Sequence, residues 1–268
     1  MIVSCKEFKI IVSKFYENHK RHFSWRDTDS PYYIFISEVM LQQTQTLRVE
    51  QRFDLFVKAL PDFESLSDAP FSFVLALWKG LGYNRRAKYL QESAQRVVND
   101  YKGKLPVDPE VLQTFLGIGP NTACSISVFA FNKSHVFIET NIRTVFLHHF
   151  FPEEENVSDK QLFPLIEKTL DKRDPRQWYY ALMDYGVHLK KLHKNPSRRS
   201  KHHVVQAKFE GSNRQIRGQI LEQLLHHGSL VHEGFYDLLM FDPQRIDAML
   251  QQLAEEKLII NKDNLYSL

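Results

Sequence analysis

Hydrophobic and polar positions follow a helical period along almost the whole chain. In residues 5–19, Phe8, Ile11, Val12 and Phe15 recur at helical spacing and predict an amphipathic helix. The stretch from Ile34 to Leu60 reads as one long helix with Ile36, Val39, Met40, Leu47, Phe56, Val57 and Leu60 as its core stripe. A helix opened near Ser67 or Asp68 and stopped by Gly80 and Gly82 is expected next, then one over "NRRAKYLQESAQRVVNDY" that Gly103 ends. "DPEVLQTFLGIGPNTACSISVFAF" reads as helix, tight "GIG" turn, helix, and further helices are expected over 158–170 and 175–192. "FEGSNRQ" marks a boundary. Beyond it the pattern predicts a helix from Arg214 to His227, an apolar segment from Leu230 to Phe241, a helix from Asp242 to Lys257 and a hairpin around 262–264. The fold class is mainly α, with expected domains 1–210 and 211–268, the second a small winged-helix-like module.

Composition sharpens this picture in two places. Hydrophobic content of 43% and charged content of 25% describe an ordinary soluble globular chain, and no apolar run reaches membrane-spanning length. Charges arrive too early in "MIVSCKEFKIIVSKF" for a signal peptide, so an intracellular place, cytoplasmic or nucleoid, is expected. Cys5 and Cys124 are the only cysteines, too few for a four-thiolate zinc or iron–sulfur site. The net charge of +3 is modest, yet 187–208 holds seven Lys/Arg, four His and no acid. Such an unbalanced block, interspersed with Ser and Asn, points to a polyanion.

Two short stretches break the ordinary surface pattern. "ISEVMLQQTQT" sets Glu38 among apolar residues and follows it with uncharged polar side chains where Lys, Arg or Glu would be usual. On a helix, Glu38, Leu41, Gln42 and Gln45 share one face. "LGIGPNTA" places Gly117 and Gly119 in a three-residue turn, where glycine permits positive φ and close backbone approach. Backbone N–H groups of such a turn, with Ile118 at its centre and Thr122 in the next helix, can face an anion. With the basic block in the same chain, DNA phosphate is the preferred ligand.

At this point a family resemblance is visible. "LQTFLGIGPNTACSISVFAF" followed by "VFIETNIRTV" resembles the helix-hairpin-helix and carboxylate motif of the DNA glycosylase superfamily. "PYYIFISEVMLQQTQT", "LWKGLGYNRRAKYL" and "ALMDYG" resemble its adenine DNA glycosylase, or MutY-like, branch, over roughly residues 20 to 190. The resemblance implies a glycosylase fold of two helical subdomains acting on double-stranded DNA. It makes Glu38 the general acid on the departing base, since an apolar setting keeps a carboxyl protonated near neutrality. It makes Glu139 the carboxylate that stabilises the oxocarbenium-like sugar. Trp25, Arg26, Leu41, Gln42, Gln43, Tyr83 and Asn121 fall at base-pocket or intercalating positions. Gly117, Ile118, Gly119 and Thr122, with Lys190, Lys191, Lys194, Arg198, Arg199 and Lys201 of the basic block, are the expected phosphate contacts. Asp184 reads as structural.

The chain also departs from the family pattern. Glu139 stands where relatives carry aspartate. Asn121 stands where bifunctional relatives resembling endonuclease III carry a Schiff-base lysine, so efficient strand cleavage is not expected. Relatives carry four cluster cysteines after "ALMDYG"; here Lys190 falls about where the first would be, so no iron–sulfur cluster is expected. A monovalent cation under the hairpin carbonyls is left open. The tail is too short for the family's 8-oxoguanine-reading domain, and its helix "DPQRIDAMLQQLAEEKL" balances acids against bases in a way that suits packing or a protein partner. A monomer is the expected state. Adenine is the expected target; hypoxanthine, an alkylated purine or a mismatched pyrimidine stays open, as does a binder of damaged DNA without catalysis.

Overall fold

The computed structural model describes residues 3–205 and 207–268. In chain order the helices are α1 Cys5–His19, α2 Pro31–Leu41, α3 Thr46–Ala59, α4 Phe63–Asp68, α5 Phe71–Trp78, α6 Arg85–Tyr101 and α7 Pro109–Leu112. They continue with α8 Pro120–Phe131, α9 Thr140–Phe150, α10 Asp159–Thr169, α11 Pro175–Leu192, α12 Asn213–His227, α13 His232–Leu238 and α14 Pro243–Glu255. Three short strands, β1 Ser229–Val231, β2 Ile260–Lys262 and β3 Leu265–Ser267, form an antiparallel sheet in the order β1-β3-β2. No helix among the described residues is long and apolar enough to cross a membrane.

The chain divides into two compact units. The first takes the residues up to Glu38, Pro106–Thr114 and Ile118–Val205. Its core is built on α1, α8, α9, α10 and α11, where Phe8 packs against Phe146, Phe150 and Trp178 with ring centroids 5.0 to 6.1 Å apart. Phe129 stacks on Tyr180 at 4.6 Å, and Phe137 on Tyr179 at 4.2 Å. The segment after α11 is tied down rather than loose. Arg199 donates to the carbonyls of Leu147 (2.9 Å) and Pro152, and Lys201 N donates to Val157 O at 3.0 Å. The first of these adds a second donor to a carbonyl in the last turn of α9 that also accepts from Phe151 N at 3.3 Å.

The second unit takes Val39–Leu105, Phe115–Gly117 and the chain beyond Val205. In it, α12, α13 and α14 close over the sheet around Ile216, Ile220, Leu224, Phe235, Met249, Leu253 and Tyr266, with Leu75 of α5 in the same apolar cluster. The hairpin turns at Asp263 and Asn264, both at positive φ, and pairs Lys262 with Leu265, close to where the sequence predicts it. The charges of α14 and its end are used internally. Glu256 is held by Arg85 and Arg217, and Arg245 donates to Gly211 O and Asn213 Oδ1, each at 2.8 Å.

Two expected helices form differently. The long segment from Ile34 to Leu60 breaks into α2 and α3, because Gln43 adopts φ 53° and the chain turns through Thr44. What holds the break is Arg86. Its guanidinium donates to Val39 O (2.8 Å) and Met40 O (2.9 Å), carbonyls at the end of α2, and to Thr44 Oγ1 at 2.9 Å. Leu47, expected in the core stripe, is 70% exposed as a result. The helix expected from Ser67 begins instead at Phe71. Asp62 caps the short α4, and Pro70 disfavours helical backbone at Ala69, so α4 stops before α5 starts.

Candidate active site

Glu38 lies in the last turns of α2, 9% exposed, and Ser125 of α8 donates to its carboxylate. Burial chiefly, and then the charge of Glu139, push its carboxyl well above the usual range; Ser125 and Arg26 act the other way. The Ser125 hydroxyl has one hydrogen but two neighbouring acceptors, Glu38 and the Thr122 carbonyl at 3.0 Å. The hydroxyl shares that hydrogen between the two while Glu38 is ionised; a protonated Glu38 could instead donate to Ser125 and leave the hydroxyl hydrogen to Thr122. The geometry therefore accommodates a neutral acid.

Glu139 is the N-cap residue of α9 in extended conformation, φ −109° and ψ 168°, where the helix N-terminus faces it. Burial raises its carboxyl as well, but three cations, Arg26, Lys190 and Arg143, oppose that rise. At Glu38 the Ser125 hydrogen bond and one cation, Arg26, stand on that side of the balance, and the repulsion of Glu139 adds to the rise. The two carboxyls are thus set apart, Glu38 as the group that keeps its proton longer. Such an acid and carboxylate pair can protonate a leaving group and stabilise a cation.

Arg26 is the fixed charge of the site. Its Nη1 lies 3.0 Å from both oxygens of Asp184, and its guanidinium sits 4.4 Å over the Tyr180 ring. Asp184, 1% exposed, also accepts from Arg21 N at 2.9 Å and Arg21 Nε at 2.8 Å, consistent with its structural reading. Burial, then the nearby Glu38, raises the Tyr180 hydroxyl, which stays neutral. Arg143 is paired with Asp159 at 2.8 Å. Trp25 is buried flat against Phe23 at 4.7 Å.

At the hairpin, Gly117 takes φ 75°, and a Cβ there would lie 2.9 Å from the Tyr89 ring. Gly119 is different from expectation. It has φ −85° and caps α8 in extended conformation, with open space where a side chain would be. Neither positive φ nor a close contact with the described residues calls for glycine there. Ile118 is buried, while Gly117, Gly119 and Asn121 are exposed and Thr122 is half-buried at the first turn of α8. Asn121 Oδ1 accepts from Ile138 N at 3.3 Å.

In the second unit, Gln42 donates to Gly117 O at 3.1 Å, and Leu41 is half-buried at the end of α2. Gln43 and Tyr83, both at positive φ, line one cavity of about 780 Å³ with Arg48, Arg52, Phe209 and Arg214. Arg214 donates to the Tyr83 hydroxyl at 3.3 Å. Gln45, expected on the face of Glu38, is instead the N-cap residue of α3.

The basic block divides. Lys191, Lys194, Arg198 and Lys201 are exposed, as phosphate contacts require. Lys190 and Arg199 are turned inward, the first onto Asn141 Oδ1 at 2.8 Å and the second onto the carbonyls of Leu147 and Pro152, so those two do not serve as free phosphate contacts. Reasoning from sequence missed Ser125 and Arg86. The spacing of Thr122 and Ser125 at i, i+3 on α8 was the available signal for the first.

The sequence profile of the HhH-GPD superfamily base excision DNA repair proteins matches residues 36–171. The chain is 31% identical over 184 residues to the adenine DNA glycosylase of Buchnera aphidicola subsp. Baizongia pistaciae, which covers 67% of this chain and 52% of that protein. It is 31% identical over 188 residues to the thymine/uracil-DNA glycosylase of Methanothermobacter thermautotrophicus, covering 68% and 85%. The solved structure of a thermostable thymine-DNA glycosylase superposes with a TM-score of 0.59 at 28% identity, covering 68% of this chain and 87% of that one. The chain thus spans about half the length of the Buchnera relative.

Proposed function

We propose a function from one premise: this chain belongs to the HhH-GPD superfamily of base excision DNA repair proteins. The reading is a monofunctional DNA glycosylase that flips a mispaired or damaged purine, adenine first, out of duplex DNA and hydrolyses its N-glycosyl bond. The observation that carries it is Glu38 itself, buried on α2 beside Ser125 and raised by burial and by the charge of Glu139, so that it can hold a proton near neutrality. Glu38 gives its proton to the departing base, and the C1′–N bond breaks with its electron pair going to the base. Glu139, ionised, lowers the energy of the cationic sugar. Water then adds at C1′ and its released proton restores Glu38.

Asn121 has no amine, and its amide is engaged with Ile138, which supports base release without strand cleavage. Cys5 and Cys124 lie on α1 and α8, away from the segment after α11, so the thiolates do not fit an iron–sulfur cluster there. Residues 1–210 are read as the glycosylase domain and 211–268 as a winged-helix-like module, a reading that the helix, strand, helix, helix and hairpin order supports.

A second reading, release of a mismatched pyrimidine, is favoured by the equal identity to a thymine/uracil-DNA glycosylase. The test is a base-release assay on duplexes holding adenine opposite guanine or 8-oxoguanine, hypoxanthine, an alkylated purine, and uracil or thymine opposite guanine. Alkali reveals abasic sites, and an untreated sample reports lyase activity. Adenine release without untreated cleavage is expected. Release of thymine or uracil alone replaces the purine reading with the pyrimidine one, and binding with no release on any duplex overturns both.

A further inference from the structure

Two features call for a common explanation: a glutamate at position 139 of the site and a lysine turned inward at position 190. Their surroundings connect them. Gly186 of α11 packs so tightly on the start of α9 that a Cβ there would collide with the Asn141 carbonyl. Lys190 is one turn further along α11, on the same face. Its Nζ reaches the side chain of Asn141, the second residue of α9, at 2.8 Å. That places an ammonium group beside the helix N-terminus that Glu139 caps, half-buried and with little water to hydrate it.

A cation at a helix N-terminus opposes the helix dipole and, half-buried, loses hydration. It is stable there only with an anion at hand, and the N-cap residue supplies one. Other charges near Glu139 are already committed. Arg26 is held by Asp184, and Arg143 by Asp159. Glu38, from α2, adds a negative charge when ionised. Lys190 is the cation near Glu139 with no carboxylate of its own in hydrogen-bond range among the described contacts.

We propose that Lys190 is a positioning residue for the proposed glycosylase reaction, orienting Asn141 and holding Glu139 ionised beside the sugar. The inference rests on the glycosylase reading for its catalytic consequence, though not for the charge coupling itself. It also gives Lys190 a role distinct from phosphate binding. Burial depresses the lysine, Glu139 supports its charge and Arg143 opposes it.

The test uses the full chain and three variants, Lys190→Met, Lys190→Gln and Lys190→Arg, each checked for native circular dichroism. The first readout is the titration of Glu139, followed by 13C carboxyl NMR and assigned with Glu139→Gln. It needs no activity. Without the lysine, Glu139 should titrate about half to one pH unit higher, with Lys190→Arg close to wild type. The second readout is the pH dependence of single-turnover base release, whose acid limb should move up by the same amount in Lys190→Met and Lys190→Gln. An unchanged Glu139 titration in both folded variants overturns the proposal, whether or not the protein releases a base. A rate loss with no shift of the acid limb also overturns it, because it would mark Lys190 as a purely structural or DNA contact. A wild-type protein that releases nothing would sink the glycosylase reading and leave the NMR result to decide the coupling.

Discussion

The side-chain oxygen of Asn121 accepts a hydrogen bond from the backbone N–H of Ile138, 3.3 Å away and one residue before Glu139. The amide that stands where a Schiff-base lysine would be needed thus fixes the approach of the chain to a carboxylate of the site. Wild-type protein should leave abasic sites uncut and give no covalent adduct with DNA under borohydride. Asn121→Lys should form that adduct, while base release falls roughly tenfold as the Ile138 anchor is lost. Borohydride trapping of wild type would refute the monofunctional reading.

Glu38→Gln should lower base release by roughly 10²–10⁴-fold while DNA affinity stays near wild type, since the amide keeps the shape but cannot supply a proton. It should also change stability in a pH-dependent way. The folded Glu38 binds its proton more tightly than the unfolded chain does, so its stabilising contribution is complete at low pH and is lost as pH rises through the folded value, about 8. The variant should therefore melt higher than wild type at about pH 9 and show no such gain at about pH 5. Equal melting differences at both values would contradict the burial argument.

The buried setting of Glu38 was legible in the sequence because charge and apolar context are local properties. An acid flanked by Ile36, Val39 and Met40 can be read from three neighbours. The cations that set Glu139 apart from Glu38 were not legible. Arg26, Arg143 and Lys190 come from three separate segments, and only tertiary packing shows which of the many lysines and arginines face inward. The α2–α3 break was missed for the same reason. Hydrophobic spacing runs on through the turn, and the residue that holds the turn, Arg86, is about forty residues away in the chain.

The proposed release requires Glu38 protonated and Glu139 ionised, and burial raises both carboxyls, Glu38 further because the charge of Glu139 adds to its rise. The pair should give a bell-shaped rate profile whose acid limb reports mainly Glu139 and whose alkaline limb mainly Glu38. Removing the charge of Glu139 removes a cause of the rise at Glu38. In Glu139→Gln the alkaline limb should therefore move to lower pH, on top of a large loss of rate. Single-turnover release measured from about pH 5 to about pH 9 would show this. A profile flat across that range would mean that neither carboxyl titrates in the rate-limiting step.

The last prediction concerns Arg86, buried and pushed down to about 10 by loss of hydration. Its guanidinium donates to Val39 O, Met40 O, Thr44 Oγ1, Leu81 O and Gly82 O, with distances of 2.8 to 3.1 Å. These acceptors lie at two turns, one carrying Gln43 and the other leading into Tyr83, both with left-handed backbones. Arg86→Met fills the space and leaves the acceptors without their donor. At about 1–3 kcal/mol for a buried group left unsatisfied, partly relieved by water, the variant should lose about 2–4 kcal/mol of stability in urea titration. Arg86→Lys should recover only part of this, because an ammonium has three hydrogens and no planar fork to span both turns. Affinity for mismatched duplex should fall further than affinity for matched duplex if the two turns must stay in register to enter an opened base pair. Wild-type stability in Arg86→Met would show that the turns hold without the guanidinium and would remove the basis for that expectation.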